Sequence, residues 1–235
     1  MNDKRPAVQG GASGVDAFLA EMAAVRRLKP ASSPGRLIFA LDATASREPT
    51  WRRAARLQAQ MFEVAAETGR LAIQVCYYQG FDGFEALPWH TEAEPLRREM
   101  ERIGCVSGYT QLDRVLRHAL AENRRQAVNA LVFVGDALEE DGAVLCGLAG
   151  ELGLHGVRIF MFQEGDEPEV EAVFRKIARL SRGAYARFDA GSPDRLARLL
   201  RAAAAYAAGG IHSMQALPER GNAEIPELTR QLRQP

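Results

Sequence analysis

The stretch Arg36-Leu37-Ile38-Phe39-Ala40-Leu41-Asp42-Ala43-Thr44-Ala45-Ser46 decides how the rest of the chain reads. Leu37 to Leu41 is an unbroken apolar run of strand length, the pattern of a strand buried on both faces. A strand meets that environment in a parallel sheet covered by helices on both sides. A carboxylate and two hydroxyls, Asp42, Thr44 and Ser46, follow the run on alternate positions. In an open parallel sheet, ligands bind just outside the carboxyl ends of the strands, so these three side chains fall where a ligand is expected.

Outward from this stretch the same grammar repeats. Leu71 to Tyr78, Ala130 to Val134, Val157 to Phe162 and Ala184 to Phe188 read as further strands. Gly83 to Pro88 reads as a short edge strand, because its terminal proline cannot serve an inner ladder. Helical stretches alternate with them: Trp51 to Thr68, Glu92 to Ile103, Gln111 to Asn123, Ala143 to Leu152, Glu169 to Leu180 and Asp194 to Ala208. Strands joined through helices of this length require crossovers. The expected fold is therefore α/β: a Rossmann-like three-layer α-β-α sandwich whose central sheet is mostly parallel, with one short antiparallel edge strand.

The expected domain spans 36–209. Before it, 1–35 is an N-terminal extension with a short amphipathic helix, Val15, Phe18, Leu19, Met22, Val25 and Leu28 sharing one stripe. That helix either packs on the domain or docks a partner. After it, 210–235 is a tail, either disordered or a strap on the domain.

Composition narrows the function classes. The 235 residues carry 30 Lys plus Arg against 30 Asp plus Glu, and 47% are hydrophobic. That apolar fraction supplies a substantial core and excludes global disorder. Zero net charge argues against a dedicated binder of nucleic acid or anionic membrane. Cys76, Cys105 and Cys146 have neither paired nor zinc-ligand spacing and read as small buried hydrophobes. No signal-peptide pattern opens the chain, and no apolar run reaches the roughly 18 residues of a membrane span. A cytoplasmic location is the expectation.

Two more fragments join the first at the strand ends. Gly135-Asp136 follows the Ala130–Val134 strand, and Ser107-Gly108-Tyr109-Thr110 precedes a helix. All the side chains of interest are hard oxygen donors, which suit Mg2+ or Mn2+ and not zinc or copper. Each fragment also has a purely structural reading. Asp after a strand often caps a helix, and Thr110 is a plausible N-cap with Asp113 at the third helical position. Glu139, Glu140 and Asp141, with Glu164, Asp166, Glu167 and Glu169, border the same strand ends. They form either an acidic rim facing a basic partner or a set of helix N-terminal charges.

On these residues the chain resembles the von Willebrand factor A domain and its metal-ion-dependent adhesion site. Asp42, Thr44 and Ser46 stand for the family's Asp-x-Ser-x-Ser. Thr110 stands for its Thr on a glycine-containing loop, and Asp136 for the Asp after its fourth strand. Thr44 departs from the usual Ser but keeps a hydroxyl, and Ala137 stands where Gly is common. The resemblance covers about 36–209 and is close to bacterial, intracellular, stand-alone members. It implies a non-enzymatic, metal-dependent protein-binding module. The hydroxyls of Thr44, Ser46 and Thr110 contact Mg2+ (or Mn2+) directly or through water, while Asp42 and Asp136 act mainly through bridging water. A partner's Glu or Asp then completes the octahedron. The resemblance also implies an AAA-type ATPase or a multi-protein complex as the setting.

Two other readings use the same fold. A metal-dependent phosphoester hydrolase would take Asp42 or Ser46 as nucleophile and Asp136 for the metal. Against it, Asp42 lacks the second Asp of an Asp-x-Asp pattern, and no His falls in the strand-end loops. No phosphate-cradling, dinucleotide-binding or nucleophile-elbow motif occurs either. The third reading is a metal-free structural scaffold.

Overall fold

In the computed structural model the apolar runs are the strands of one sheet. The structure describes residues 33–43, 70–189, 193–218 and 223–234, with isolated positions between 48 and 63. The amphipathic helix of the N-terminal extension, Thr44 and Ser46 lie outside the described residues, as does most of the Trp51–Thr68 stretch. In chain order the described elements are β1 (Gly35–Asp42), β2 (Leu71–Gln79), β3 (Gly83–Ala86), α1 (Ala93–Glu101), α2 (Leu112–Arg125), β4 (Ala130–Gly135), α3 (Gly142–Leu154), β5 (Arg158–Glu164), α4 (Pro168–Leu180), β6 (Ala184–Phe188), α5 (Pro193–Gln215) and α6 (Ile225–Leu232). All belong to one unit, Pro34–Pro235.

The six strands run β3-β2-β1-β4-β5-β6, every pair parallel except the antiparallel β2–β3 edge. The α/β architecture with one short antiparallel edge strand is thus as expected. Alternate side chains of the inner strands enter opposite layers. Leu37, Phe39, Leu41, Val132 and Val134 face a core shared with α1, α5 and α6. Ile38, Ala40, Leu131 and Phe133 face a second core shared with α2, α3 and α4. This double burial is why the runs carry no polar alternation. Among the described residues, no helix is long and apolar enough to cross a membrane.

A polar hub ties the β1 entrance to α2. The guanidinium of Arg36 donates to Glu122 Oε2 at 2.7 Å, and both side chains are 7% exposed. Trp89 Nε1 donates to the same oxygen at 2.8 Å, and the Arg36 guanidinium lies 3.8 Å from the Trp89 ring centroid. Burial alone would raise the Glu122 carboxyl, but hydrogen bonds from Trp89, Arg36 and Arg125 outweigh it and hold the group below the usual carboxylate range.

Regular structure continues beyond residue 209. α5 passes its expected end at Ala208, kinking where Gly209 and Gly210 leave helical angles, and continues to Gln215. The described residues beyond the kink include α6, which packs on the domain. Ile225 and Leu228 of α6 are buried in the first core. Arg198 of α5 grips Glu224 through two bonds of 2.8 Å. Gln231 pairs with the edge strand as a backbone would, accepting from Tyr185 N at 2.8 Å and donating to Tyr185 O at 2.9 Å. That covers a strand edge otherwise open to another chain.

Candidate metal centre

The strand order reverses at β1. The chain runs from β1 to β2 on one side, and β4 and β5 lie on the other. The crevice outside the carboxyl ends of β1 and β4 is therefore the topological switch point, where open α/β sheets bind ligands. Asp42 is the last residue of β1 and is 3% exposed. Leu41 pairs with Val134, so Asp42 stands level with Gly135 and Asp136 follows one step on. Adjacent strands lie about 4.8 Å apart, so the register brings the two aspartates to neighbouring strand ends.

The loop between α1 and α2 is stitched to this edge. Val106 N donates to Ala43 O at 3.0 Å, and Tyr109 N donates to Gly80 O at 3.3 Å. The approach is so close that a Cβ on Gly108 would stand 1.9 Å from Gly80 O, so a residue without a side chain is required. This seats Thr110 at the same edge, 7% exposed.

Thr110 is not a helix cap. Gln111 occupies the N-cap position of α2 and makes no side-chain capping bond. The acidic loop after β4 takes over that task. Glu140 accepts from the amides of Leu112 at 2.7 Å and Asp113 at 2.8 Å, satisfying donors that a helix start leaves open. Burial pushes the Glu140 carboxyl up and the Asp113 carboxylate adds to this, while the two amides oppose it. Asp141 caps its own helix, accepting from Ala143 N at 2.7 Å. These two acids thus act as helix N-terminal charges, Glu140 on a helix remote in sequence.

Glu139 holds Thr110 itself. Its Oε2 accepts from Thr110 N at 3.0 Å and from Thr110 Oγ1 at 2.6 Å, while Glu139 N donates to Thr110 Oγ1 at 3.2 Å. A hydroxyl oxygen has two lone pairs. One is used by the Glu139 amide, which leaves the second for a cation. Donating its proton to a carboxylate makes that oxygen a better ligand. The neighbouring Gln111 is 6% exposed, and its Nε2 donates to Gly80 O at 3.3 Å. That bond fixes the amide orientation and leaves Oε1 buried with no hydrogen-bond partner among the described residues. A buried hard oxygen left without a hydrogen bond is one that a water or a cation would satisfy.

The described members of the candidate set, Asp42, Thr110 and Asp136, offer hard oxygen donors of the kind a divalent ion takes. Among the described residues no group of three or more His, Cys, Asp or Glu is placed to hold a metal. The candidate set differs in kind, having two carboxylates and otherwise hydroxyls. Glu139 and Gln111 were not in the set read from sequence. Glu139 lies 29 residues from Thr110, so no local spacing announces the pair.

No protein-family model and no curated protein matches the chain. Solved structures do. An aerotolerance-related membrane protein from Bacteroides fragilis aligns with TM-score 0.55 and 17% identity over 72% of this chain and 98% of that one. A von Willebrand factor type A protein from Catenulispora acidiphila aligns with TM-score 0.58 and 19% identity over 75% of this chain and 43% of that one. The SpRpn10 VWA domain aligns with TM-score 0.53 and 12% identity over 67% of this chain and 89% of that one. At these identities the likeness establishes the fold, which is that of von Willebrand factor A domains.

Proposed function

We propose, from this fold and the donors at its switch point, that the chain is a non-enzymatic protein-binding module centred on Mg2+ (or Mn2+). Asp42, Thr44, Ser46, Thr110 and Asp136 would hold the ion, and a Glu or Asp of the partner would complete its shell. The observation that carries the reading is the convergence of three segments at one sheet edge: the end of β1, the end of β4, and the Thr110 loop pinned by Gly108. A site with two carboxylates and several neutral oxygens leaves residual charge on the ion for an incoming carboxylate.

A protein is the favoured ligand because of what borders the site. Phe81 (69% exposed) and Tyr109 (58%) pack edge to face at 5.3 Å, and Val106 is 52% exposed on the same loop as Tyr109. Exposed aromatic side chains on a well-anchored loop are typical anchors of protein interfaces. An AAA-type ATPase or a larger assembly is the setting the family resemblance implies.

The test is retention of partners on the immobilised chain in Mg2+ and in EDTA, beside Asp42→Ala. Partners held only in Mg2+, absent from the variant, and released when their own acidic residue is neutralised support the reading. Partners indifferent to chelation and to Asp42→Ala contradict it.

A further inference from the structure

A cavity of about 490 Å³ lies between α4 and α6, at the opposite end of the strands from the candidate metal centre. It opens beside Gly183, at the start of β6, whereas the metal donors sit at the carboxyl ends of β1 and β4. Its volume is within the ~300–1,000 Å³ usual for small-ligand sites.

Its lining is strongly one-signed. Arg175, Lys176 and Arg179 come from α4, Arg182 from the following turn and Arg230 from α6, against one carboxylate, Glu227. In a chain with no net charge, this is a local surplus. Arg175 is paired with Glu171 at 2.6 Å and stacks 4.2 Å from the Tyr185 ring centroid. Among the described residues no carboxylate pairs with Lys176, Arg179, Arg182 or Arg230. Arg179 and Arg230 sit in the last turns of their helices, where cations complement the helix dipole. With Arg175 held by Glu171, that leaves Lys176 and Arg182.

Arg182 adds an independent observation. It has φ +51, the one positive φ at a non-glycine among the described residues. It sits where α4 ends in a turn closed by Gly183 N donating to Ala178 O at 2.7 Å. Glycine is the residue that adopts such a conformation without steric cost. Gly183 cannot exchange places with it, since a Cβ there would stand 1.9 Å from Ile159 O. A side chain kept at a disfavoured backbone position and turned to a ligand-sized cavity points to use. The opposite wall is firmly placed, because Gln231 is locked onto Tyr185 by its two backbone bonds.

We propose that this cavity binds a small ligand bearing a polyphosphate group. Arginine forks match phosphate oxygens in pairs, and gathered cations repel one another until an anion neutralises them. Ala172 is the one apolar residue among the described lining residues, and the rest of the apolar surface is the carbon stems of the long charged and polar side chains, whose heads carry the recognition. A polyphosphate concentrates several charges in the volume available, whereas an acidic peptide spreads its charges over a longer track.

The test is calorimetric titration of the full chain, in metal-free, low-salt buffer, with sodium tripolyphosphate, ATP and a hexaglutamate peptide. Tripolyphosphate should bind saturably at one site. Arg182→Gly and Arg230→Gln should each weaken it about tenfold, near 1.4 kcal/mol. Arg182→Gly should at the same time melt at or above the wild-type temperature, because it relieves the left-handed residue. ATP binding at least as tightly as tripolyphosphate would identify a nucleotide as the source of the phosphates, and weaker ATP binding a phosphate chain with a smaller or no attached group. The proposal is overturned by absence of saturable tripolyphosphate binding, by tighter binding of hexaglutamate, or by unchanged affinity in both variants.

Discussion

Replacing Glu139 separates a metal-site role from a purely structural one. In Glu139→Ala, Thr110 loses the acceptor of its N–H at 3.0 Å and of its Oγ1–H at 2.6 Å. It keeps the 3.2 Å bond from the residue 139 amide, which no substitution short of proline removes. Hydrogen bonds to a charged acceptor contribute about 1.5–3 kcal/mol each when sheltered. Glu139 is exposed, so water replaces much of what is lost, and the net cost to folding is on the order of 1 kcal/mol. For a chain of this size that lowers the melting temperature by about 2–4 °C. The effect on the ion is larger, because Thr110 loses both its orientation and the charge that polarises its oxygen. Removing such supporting partners typically weakens metal binding about 10–100-fold. Glu139→Gln keeps an acceptor oxygen without the charge and should fall between Ala and wild type. Calorimetric Mg2+ titration beside a melt in EDTA reads both quantities. Unchanged Mg2+ affinity in Glu139→Ala would refute the reasoning, and so would a collapse of the melt by more than about 10 °C, which would make Glu139 a structural residue.

The Arg36–Glu122 pair gives a stability prediction. Glu122→Ala strands the buried Arg36 guanidinium and the Trp89 N–H, and should cost about 3–5 kcal/mol in denaturant unfolding. Because the Glu122 carboxyl is held low in the fold, its contribution is complete above the ordinary carboxylate value of 4.5. It is lost as pH falls through the lower folded value. Wild type should therefore lose stability below that range more steeply than Glu122→Gln, as read from melts across an acid pH series. Gly108→Ala should lower both the melting temperature and Mg2+ affinity, since its Cβ meets Gly80 O at 1.9 Å. Gly104→Ala on the same loop meets no atom within 4 Å and should leave both unchanged.

What could be read from sequence follows from how far each signal reaches along the chain. Leu37–Leu41 and Ala130–Val134 are buried on both faces, and an unbroken apolar run records that locally. Once the runs are strands, the crossover rule makes them parallel and places Asp42 and Asp136 at the ligand-binding edge. The short edge strand announced itself through Pro88, just beyond β3. Long-range side-chain work was hidden. Glu139 and Glu140 read as an acidic rim or as helix N-terminal charges, and they serve Thr110 and α2, 27 to 29 residues earlier. Thr110 looked like a cap for the same reason: a Thr just before a helix matches the capping pattern whether or not another side chain has taken the job. The packing of α6 left no periodic signal, because the helix is only eight residues long and two of its anchors, Arg198–Glu224 and Gln231–Tyr185, are polar contacts.

In the proposed function, Asp42 and Asp136 serve one divalent ion at the β1–β4 switch point. Calorimetric Mg2+ titration of wild type, Asp42→Ala and Asp136→Ala, with circular dichroism of each in EDTA, tests it most directly. The account predicts saturable Mg2+ binding in the wild type and none in either variant, with the folded spectrum retained in all three. Both variants folded and binding Mg2+ as tightly as wild type would contradict it.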